Sequence, residues 1–286
     1  MKCGLVMPER VMAKPTEQTE KGQRLSPAPV ALVMAAGKGT RMQSDLPKVV
    51  HEVAGRPMVC HVVEACLAAG CARVVAIVGY KQELVREALA GFGDRVGFAV
   101  QAEQLGTGHA VQCAAEALAG LGAETPILVL AGDGPLIRAE TLSALLRLHR
   151  GAADGRGADA TLATSVIEDP TGYGRIVRGA DGRFAAIIEQ KNASPEQLHI
   201  CEVNPSYYCF RLGALQEALA KVERDAVSGE YYITDVPTIL LKSGGCVEVI
   251  DAVPAEDVLS INTLEQLAEV DRILRGRLAE VEGVSR

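Results

Sequence analysis

Gly37, Gly39, Arg41 and Lys48 pose the first chemical question in this chain. They lie in "AAGKGTRMQSDLPK", directly after the apolar run "VALVM", so a glycine-rich, cationic segment leaves the end of an expected strand. Glycines let backbone N–H groups approach a polyphosphate, and Arg41 and Lys48 add charge that need not come from a helix terminus. Two familiar phosphate loops fail on spacing. A P-loop needs Ser or Thr after its Gly-Lys pair, but Lys38 is followed by Gly39. A dinucleotide fingerprint needs a third glycine at position 42, which is Met42. Farther on, Gln101 closes "VGFAVQ" and Asp133 follows "ILVLAG", so an amide and a carboxylate also stand at expected strand ends.

The elements that must position these groups follow from periodicity. "VALVMA" reads as a strand buried on both faces. Then come "MVCHVVEACLAAG" (helix), "RVVAIVG" (strand), "KQELVREALAGFG" (helix), "VGFAVQ" (strand), "GHAVQCAAEALAGLG" (helix), "ETPILVLAGD" (strand) and "AETLSALLRLHR" (helix). Such a series predicts a parallel, doubly wound α/β sheet, whose ligands gather beyond the carboxyl ends of the strands. The second half changes character. "ADATLATSVI", "GRIVRG", "GRFAAIIEQ" and "EVNPSYYCFRL" alternate with turns and few helices, and predict antiparallel strands that extend the sheet and form a lid over its edge. "CVEVIDA" adds a late strand and "TLEQLAEVDRILRGRLAEVE" a terminal amphipathic helix. His109, at a helix start with no catalytic partner beside it in sequence, reads as structural.

Bulk properties narrow the function classes. A chain of 286 residues can bury a sizeable core, and its net charge of −7 argues against a general nucleic-acid binder. No apolar run approaches the roughly 18–20 residues of a membrane span. The eight cysteines form no Cys-x-x-Cys pair and sit mostly among apolar neighbours, as reduced core residues of a cytoplasmic protein do. Residues 1–29 are polar, lack the apolar centre of a signal peptide, and are read as a flexible extension outside the fold.

Gly-x-Gly-Thr-Arg-Met followed by Pro-Lys resembles the signature of sugar-1-phosphate nucleotidyltransferases. The continuation "QAEQLGTGHAVQ", "AGDGPLI", "DPTGYGRIVR", "EVN", "GEYYITDV" and "SIN" is similar to the uridyltransferase domain of bifunctional N-acetylglucosamine-1-phosphate uridyltransferases, in order and approximate spacing. The resemblance implies a nucleotide-diphospho-sugar transferase fold: a Rossmann-like, doubly wound, mixed but mainly parallel sheet with an antiparallel sugar-binding lid. It implies UTP and a sugar-1-phosphate as substrates and Mg²⁺ as cofactor. Ala35, Ala36, Gly37 and Gly39 would then face the nucleotide, with Gln101, Gly106 and Thr107 reading the uracil. Asp133 and Asn262 would hold the metal, Arg41 and Lys48 would act with Asp133 in catalysis, and Gly174, Glu189 and Asn204 would bind the sugar.

The match departs from that family at three places. Asn204-Pro205-Ser206 stands where the family commonly has Asn-Thr-Gly, and proline fixes φ and removes an N–H beside the implied sugar contact. Gly134 stands where the family usually has a larger residue. The sequence carries no hexapeptide repeat of the kind that builds the acetyltransferase β-helix and its trimer, so acetyl transfer is not implied and the oligomeric state stays open. The expected organisation is an extension over 1–29, a nucleotidyltransferase domain over 30–262 and a C-terminal helix over 263–286. Alternatives within this fold are glucose-1-phosphate or another hexose-1-phosphate, or another nucleoside triphosphate. A non-catalytic nucleotide-sugar-binding regulatory protein would be expected to lose Arg41, Lys48 or Asp133, and all three are present.

Overall fold

The computed structural model describes residues 27–151 and 157–284; the expected extension lies almost wholly outside them. In chain order the strands are β1 Val30–Ala35, β2 Glu52–Val53, β3 Arg56–Pro57, β4 Arg73–Val78, β5 Val96–Val100, β6 Pro126–Ala131, β7 Ala160–Val166, β8 Gly174–Arg178, β9 Phe184–Ile188, β10 Glu202–Arg211 and β11 Val247–Asp251. The helices are α1 Met58–Ala68, α2 Gln82–Leu89, α3 Thr107–Cys113, α4 Ala139–Gly151, α5 Pro195–Leu198, α6 Leu212–Leu219, α7 Asp235–Lys242 and α8 Leu264–Val284. Among the described residues no helix is long and apolar enough to cross a membrane.

The main sheet runs β11-β7-β10-β6-β1-β4-β5. Parallel pairs join β4, β5 and β6 to the β1 block and β11 to β7, while β10 alone runs antiparallel to both its neighbours, β6 and β7. The chain therefore steps outward from β1 to β4 to β5, then crosses back through α3 to enter β6 on the other side of β1. Such a reversal opens a crevice at the carboxyl ends of β1 and β6. Because β10 is reversed, it brings its first residues, not its last, to that same edge.

Alternate residues of the central strands feed two cores. Ala31, Val33 and Ala35 face one layer with Val62, Val63, Leu142, Leu145 and Val270, from α1, α4 and α8. Val30 and Leu32 face the other with Val111, Leu215 and Val236, from α3, α6 and α7. Burial on both faces is why these strands read as continuous apolar runs. The expected C-terminal helix is α8, and its Val270 is fully buried in the first core.

The lid forms as β8 and β9, an antiparallel pair fastened to the start of β10 through Val203↔Arg175 and Asn204↔Gly174. Between Val203 and Tyr207 the pairing of β10 with β7 shifts register. Pro205 sits in this bulge, where no ladder N–H is required of it, and Ser206 adopts a left-handed φ of 66°. The bulge lets one strand serve two neighbours, the main sheet and the lid.

Three expectations need correction. The helix expected from "GHAVQCAAEALAGLG" is α3 alone, followed by a short 3-10 turn at Glu116–Leu118; alanine favours the α-helix, but Ala119, at φ −58° and ψ 140°, has left helical geometry, so context outweighs propensity here. The helix expected over "KQELVREALAGFG" stops at Leu89, and a 3-10 segment with a left-handed Gly93 continues it. The second half holds α6 and α7 as well as strands, with Pro237 in the first turn of α7, where an N–H would have no intrahelical partner and its absence in proline costs nothing. The seven described cysteines are free, and Cys60, Cys66, Cys71 and Cys209 are buried as expected, but Cys201 is exposed.

Candidate active site

Beyond Ala35 the chain turns through the glycine loop at the crevice. Gly39 has φ 70° and ψ 52°, a left-handed conformation that costs other residues roughly 1–2 kcal/mol. A Cβ on Gly39 would also stand 2.6 Å from Cβ of Lys48. The loop thus packs its backbone directly on the stem of the lysine. Tyr80 and Gln104 steady the loop, since the Tyr80 N–H and the Gln104 side-chain amide both donate to the Ala36 carbonyl, at 3.1 and 2.8 Å.

Asp133 and Asn262, far away in sequence, meet Arg41 and Lys48 at this loop. The Lys48 ammonium donates to Asp133 Oδ2 and, at 2.8 Å, to Asn262 Oδ1. Arg41 Nη2 donates to the same Asn262 oxygen at 2.7 Å. The backbone ties the two oxygen donors together, because the Ile261 N–H donates to the Asp133 carbonyl at 3.1 Å. They line a cleft of about 400 Å³ with Gly37, Lys38, Gly39, Thr40, Gln104 and Thr107. Of the expected nucleotide contacts, Ala35 and Ala36 are buried under the loop rather than in the cleft wall.

Asn262 is held by the strap that leads into α8. Its N–H donates to Gln266 Oε1 at 2.7 Å, and that oxygen also takes the Thr263 N–H at 3.1 Å, capping the helix. Upstream in the strap, buried Asp257 accepts from Arg138 Nε at 2.6 Å and also from Arg277. Arg138 follows the Asp133 loop and Arg277 lies on α8, so one carboxylate clamps the strap between them.

Gln101 is nearly buried, and its side-chain nitrogen donates to the Gly106 carbonyl at 3.0 Å and to His109 Nδ1 at 3.1 Å. In this state it supports the turn that precedes α3 rather than lining the cleft. His109 is a structural partner in that turn, as expected. Gly106 has φ 102°, and a Cβ there would meet the Tyr231 carbonyl oxygen at 2.5 Å. That close approach permits stitching: Tyr231 N–H to Leu105 O at 2.8 Å, Gly108 N–H to Tyr231 O at 2.7 Å, and Ile233 N–H to Thr107 Oγ1 at 3.1 Å.

The three expected sugar contacts form a second cluster, outside the wall of that cleft. A Cβ on Gly174 would lie 3.7 Å from both Asn204 Cβ and Glu189 Oε1. Glu189 Oε1 accepts from the Thr234 hydroxyl at 3.0 Å, and burial raises the Glu189 pKa above the ordinary carboxylate value. The Asn204 amide donates to the Tyr208 hydroxyl at 2.6 Å, while its oxygen takes the Ser206 N–H at 3.2 Å. Residues 231–234 therefore run between the two clusters, bonded to Thr107 and Gly108 at one end and to Glu189 at the other. "GEYYITDV" is visible as a motif, but nothing in its composition announces this bridging. Gln104 also lacked a signal; only its place in the cleft wall identifies it. The small Gly134 has a neighbour that fills the space, for a Cβ there would meet the Tyr207 hydroxyl at 3.0 Å.

Comparison with known proteins adds an independent line. The family described as the MobA-like NTP transferase domain matches residues 31–175, which include the glycine loop, Lys48, Asp133 and Gly174. The chain is 44% identical over 248 residues to the bifunctional protein GlmU of Pelobacter propionicus, covering 87% of this chain and 52% of that protein. It is 47% identical over 249 residues to the bifunctional protein GlmU of Geobacter metallireducens, and 46% over 253 residues to that of Heliobacterium modesticaldum, with 87% of this chain covered in each. The chain spans about half the length of the curated relatives it matches. A matching domain, an open mainly parallel sheet and a cationic glycine loop at its switch point agree: the chain belongs to the family of MobA-like NTP transferase domains.

Proposed function

We propose that this chain is a cytoplasmic enzyme that transfers a uridylyl group from UTP to N-acetylglucosamine-1-phosphate, with Mg²⁺, giving UDP-N-acetylglucosamine and pyrophosphate. The observation that carries this reading is the meeting of Lys48, Asp133 and Asn262 behind the glycine loop. An oxygen of the sugar phosphate attacks the α-phosphorus of UTP in line, the bond to the β-phosphate oxygen breaks, and pyrophosphate leaves with the electron pair. The acceptor brings its own nucleophile, so the protein's task is positioning and charge stabilisation. Gly37 and Gly39 leave room for the triphosphate, Arg41 and Lys48 offset its charge, and Glu189, Asn204 and Gly174 fix the hexose. Gln101, Gly106 and Thr107 border the base. For Gln101 this requires its amide to turn from Gly106 and His109.

The donor set suits the metal. Asp133 Oδ2 and Asn262 Oδ1 converge on one ammonium, so both oxygens reach a single cation position. Among the described residues no group of three or more acidic, histidine or cysteine side chains surrounds a metal position. One carboxylate and one amide oxygen, with the remaining positions left to phosphate and water, is a pattern Mg²⁺ favours. When bound there, Mg²⁺ would supply Lewis-acid polarisation of phosphate oxygens. Lys48 would then yield its place between the two oxygens and turn its charge to the substrate phosphates.

The bulge at Pro205–Ser206 favours one second reading, a different hexose-1-phosphate, because it reshapes the backbone beside Asn204. Replacing Asp133 or Lys48 by alanine tests the roles. Turnover is expected to fall by at least about 10²-fold, the range for removing one preorganised charge, with the fold retained by circular dichroism. Near-normal turnover in either variant would overturn the assignment.

A further inference from the structure

Tyr173 joins the second cluster to the strap that carries Asn262. It directly precedes Gly174, and its hydroxyl donates to the Val258 carbonyl of the strap at 3.1 Å. Beyond Val258 the strap is fastened where Asn262 meets Asp133, through the Ile261 N–H to the Asp133 carbonyl and the Asn262 side-chain amide to Ser260 Oγ at 3.2 Å. A second hydroxyl supports the first: Tyr207, three residues after Asn204 on β10, donates to the adjacent Asp257 carbonyl at 3.4 Å. The turn that carries Tyr173 is held from its other side by a buried cation. Arg175 is only 1% exposed, yet among the described residues it forms no ion pair with an acid, and its Nε has no partner. Its guanidinium donates to neutral oxygens instead: the Tyr173 carbonyl, Gln190 Oε1 at 2.9 Å and the Leu198 carbonyl at 3.4 Å. Gln190 Oε1 also accepts the Gly172 N–H at 2.9 Å. Burying a guanidinium without a carboxylate is costly, and two of its three bonds end on this turn or on the glutamine that holds it.

We infer that Tyr173 is a positioning residue that couples occupancy of the second cluster to the placement of Asn262. This rests on the roles proposed above for Gly174, Glu189 and Asn204 at the sugar and for Asn262 at the metal. A hexose fixed by those three residues holds the 172–174 turn, and through the Tyr173 hydroxyl the turn holds the strap. Asn262 is then best placed when the acceptor is in place, which favours transfer to the sugar over attack by water. One neutral hydrogen bond transmits no more than it is worth, so the coupling amounts to about two- to tenfold.

Hydrogen exchange read by mass spectrometry tests this on the intact chain in EDTA, with and without saturating N-acetylglucosamine-1-phosphate. Exchange reports local opening segment by segment, so lid and strap are read separately. In the wild type the ligand should slow exchange both in the lid, over 172–178, and in the strap, over 255–262. Tyr173→Phe keeps the ring, which packs against the first core, and removes only the hydroxyl. In this variant the lid should stay protected, while the protection that the ligand adds to the strap should be about two- to tenfold smaller. Protection from direct contact with the sugar phosphate persists in both chains, so their difference reads the hydroxyl. Gln190→Ala loosens the turn without touching that hydroxyl; it should reduce the same ratio, and it replaces Tyr173→Phe if a thermal melt shows that variant to be unfolded. A bond that only braces the fold would raise strap exchange by one factor with and without ligand. That result overturns the inference, as does a strap that the ligand protects equally in wild type and variant, or not at all in the wild type, and the uridylyltransferase reading survives each. Tyr173-dependent strap protection that appears only with another hexose-1-phosphate sustains the coupling and refutes N-acetylglucosamine as the sugar. A lid that no hexose-1-phosphate protects refutes both.

Discussion

Two glycines of the same loop should respond oppositely to alanine, and the contrast tests how the loop works. At Gly39 the cost has two parts. Alanine must hold a left-handed φ of 70°, which costs about 1–2 kcal/mol. Its Cβ would also lie 2.6 Å from Lys48 Cβ and 3.3 Å from Lys48 Cα, so the lysine stem must retreat. A shift of about 1 Å in a group that positions the reacting phosphates can cost on the order of 10²-fold in rate. At Gly37 φ is not positive and an added Cβ meets no protein atom within 4 Å, so folding stability should hold. Its methyl instead enters the cleft space that the proposed reaction assigns to the nucleotide. Urea denaturation and steady-state pyrophosphate release check both. Gly39→Ala should lose about 1–2 kcal/mol and about 10²-fold in kcat, whereas Gly37→Ala should keep its stability and raise KM for the nucleotide. Wild-type kcat in Gly39→Ala would refute the packing of loop on Lys48 as the basis of catalysis.

Three further outcomes follow from the geometry. Ser206 has φ 66°, so Ser206→Gly should raise stability by about 1 kcal/mol in urea denaturation; destabilisation would mean the hydroxyl contributes more than the strain costs. Arg277→Gln leaves buried Asp257 with Arg138 as its remaining ion-pair partner, and should cost about 1–3 kcal/mol and lower kcat through Asn262, an effect that Arg277→Lys should partly restore. Burial, first among its causes, holds His149 neutral with its pKa lowered from 6.5 to about 4. The unfolded chain then binds the extra proton between those values, so stability is intact above about pH 6.5 and falls as pH drops toward 4. This group alone should cost about 2 kcal/mol between pH 7.5 and pH 5, and His149→Gln should flatten that slope in urea titrations.

The parallel half of the fold was legible because its strands are buried on both faces and its helices carry one apolar stripe. Where composition loses that contrast, the reading failed. Over 114–119 the alanines favour a helix and give no mark of the break after Cys113, and the segment of α7, with Pro237 in its first turn, carried no expectation of helix or strand. At the site, residue type alone suggested phosphate at the glycine loop. Asp133, Asn262, Glu189 and Asn204 gained roles only through family resemblance, because each taken singly resembles an ordinary turn or strand-end residue. The second cluster depends on register: Asn204 meets Gly174 because β10 is reversed and bulged. The Asp257 clamp and the bridging of residues 231–234 join segments far apart in sequence through backbone and buried side-chain bonds, and no periodicity encodes those.

In the proposed reaction this cleft joins a uridylyl group to an acetamido-sugar phosphate. Pyrophosphate release by the intact chain, measured with each of the four ribonucleoside triphosphates against N-acetylglucosamine-1-phosphate, glucose-1-phosphate and other hexose-1-phosphates, tests it directly. The expected result is turnover with UTP and N-acetylglucosamine-1-phosphate well above every other pair, abolished by EDTA and restored by Mg²⁺. Higher kcat/KM with another nucleotide or sugar phosphate, or no release with any pair, would contradict it.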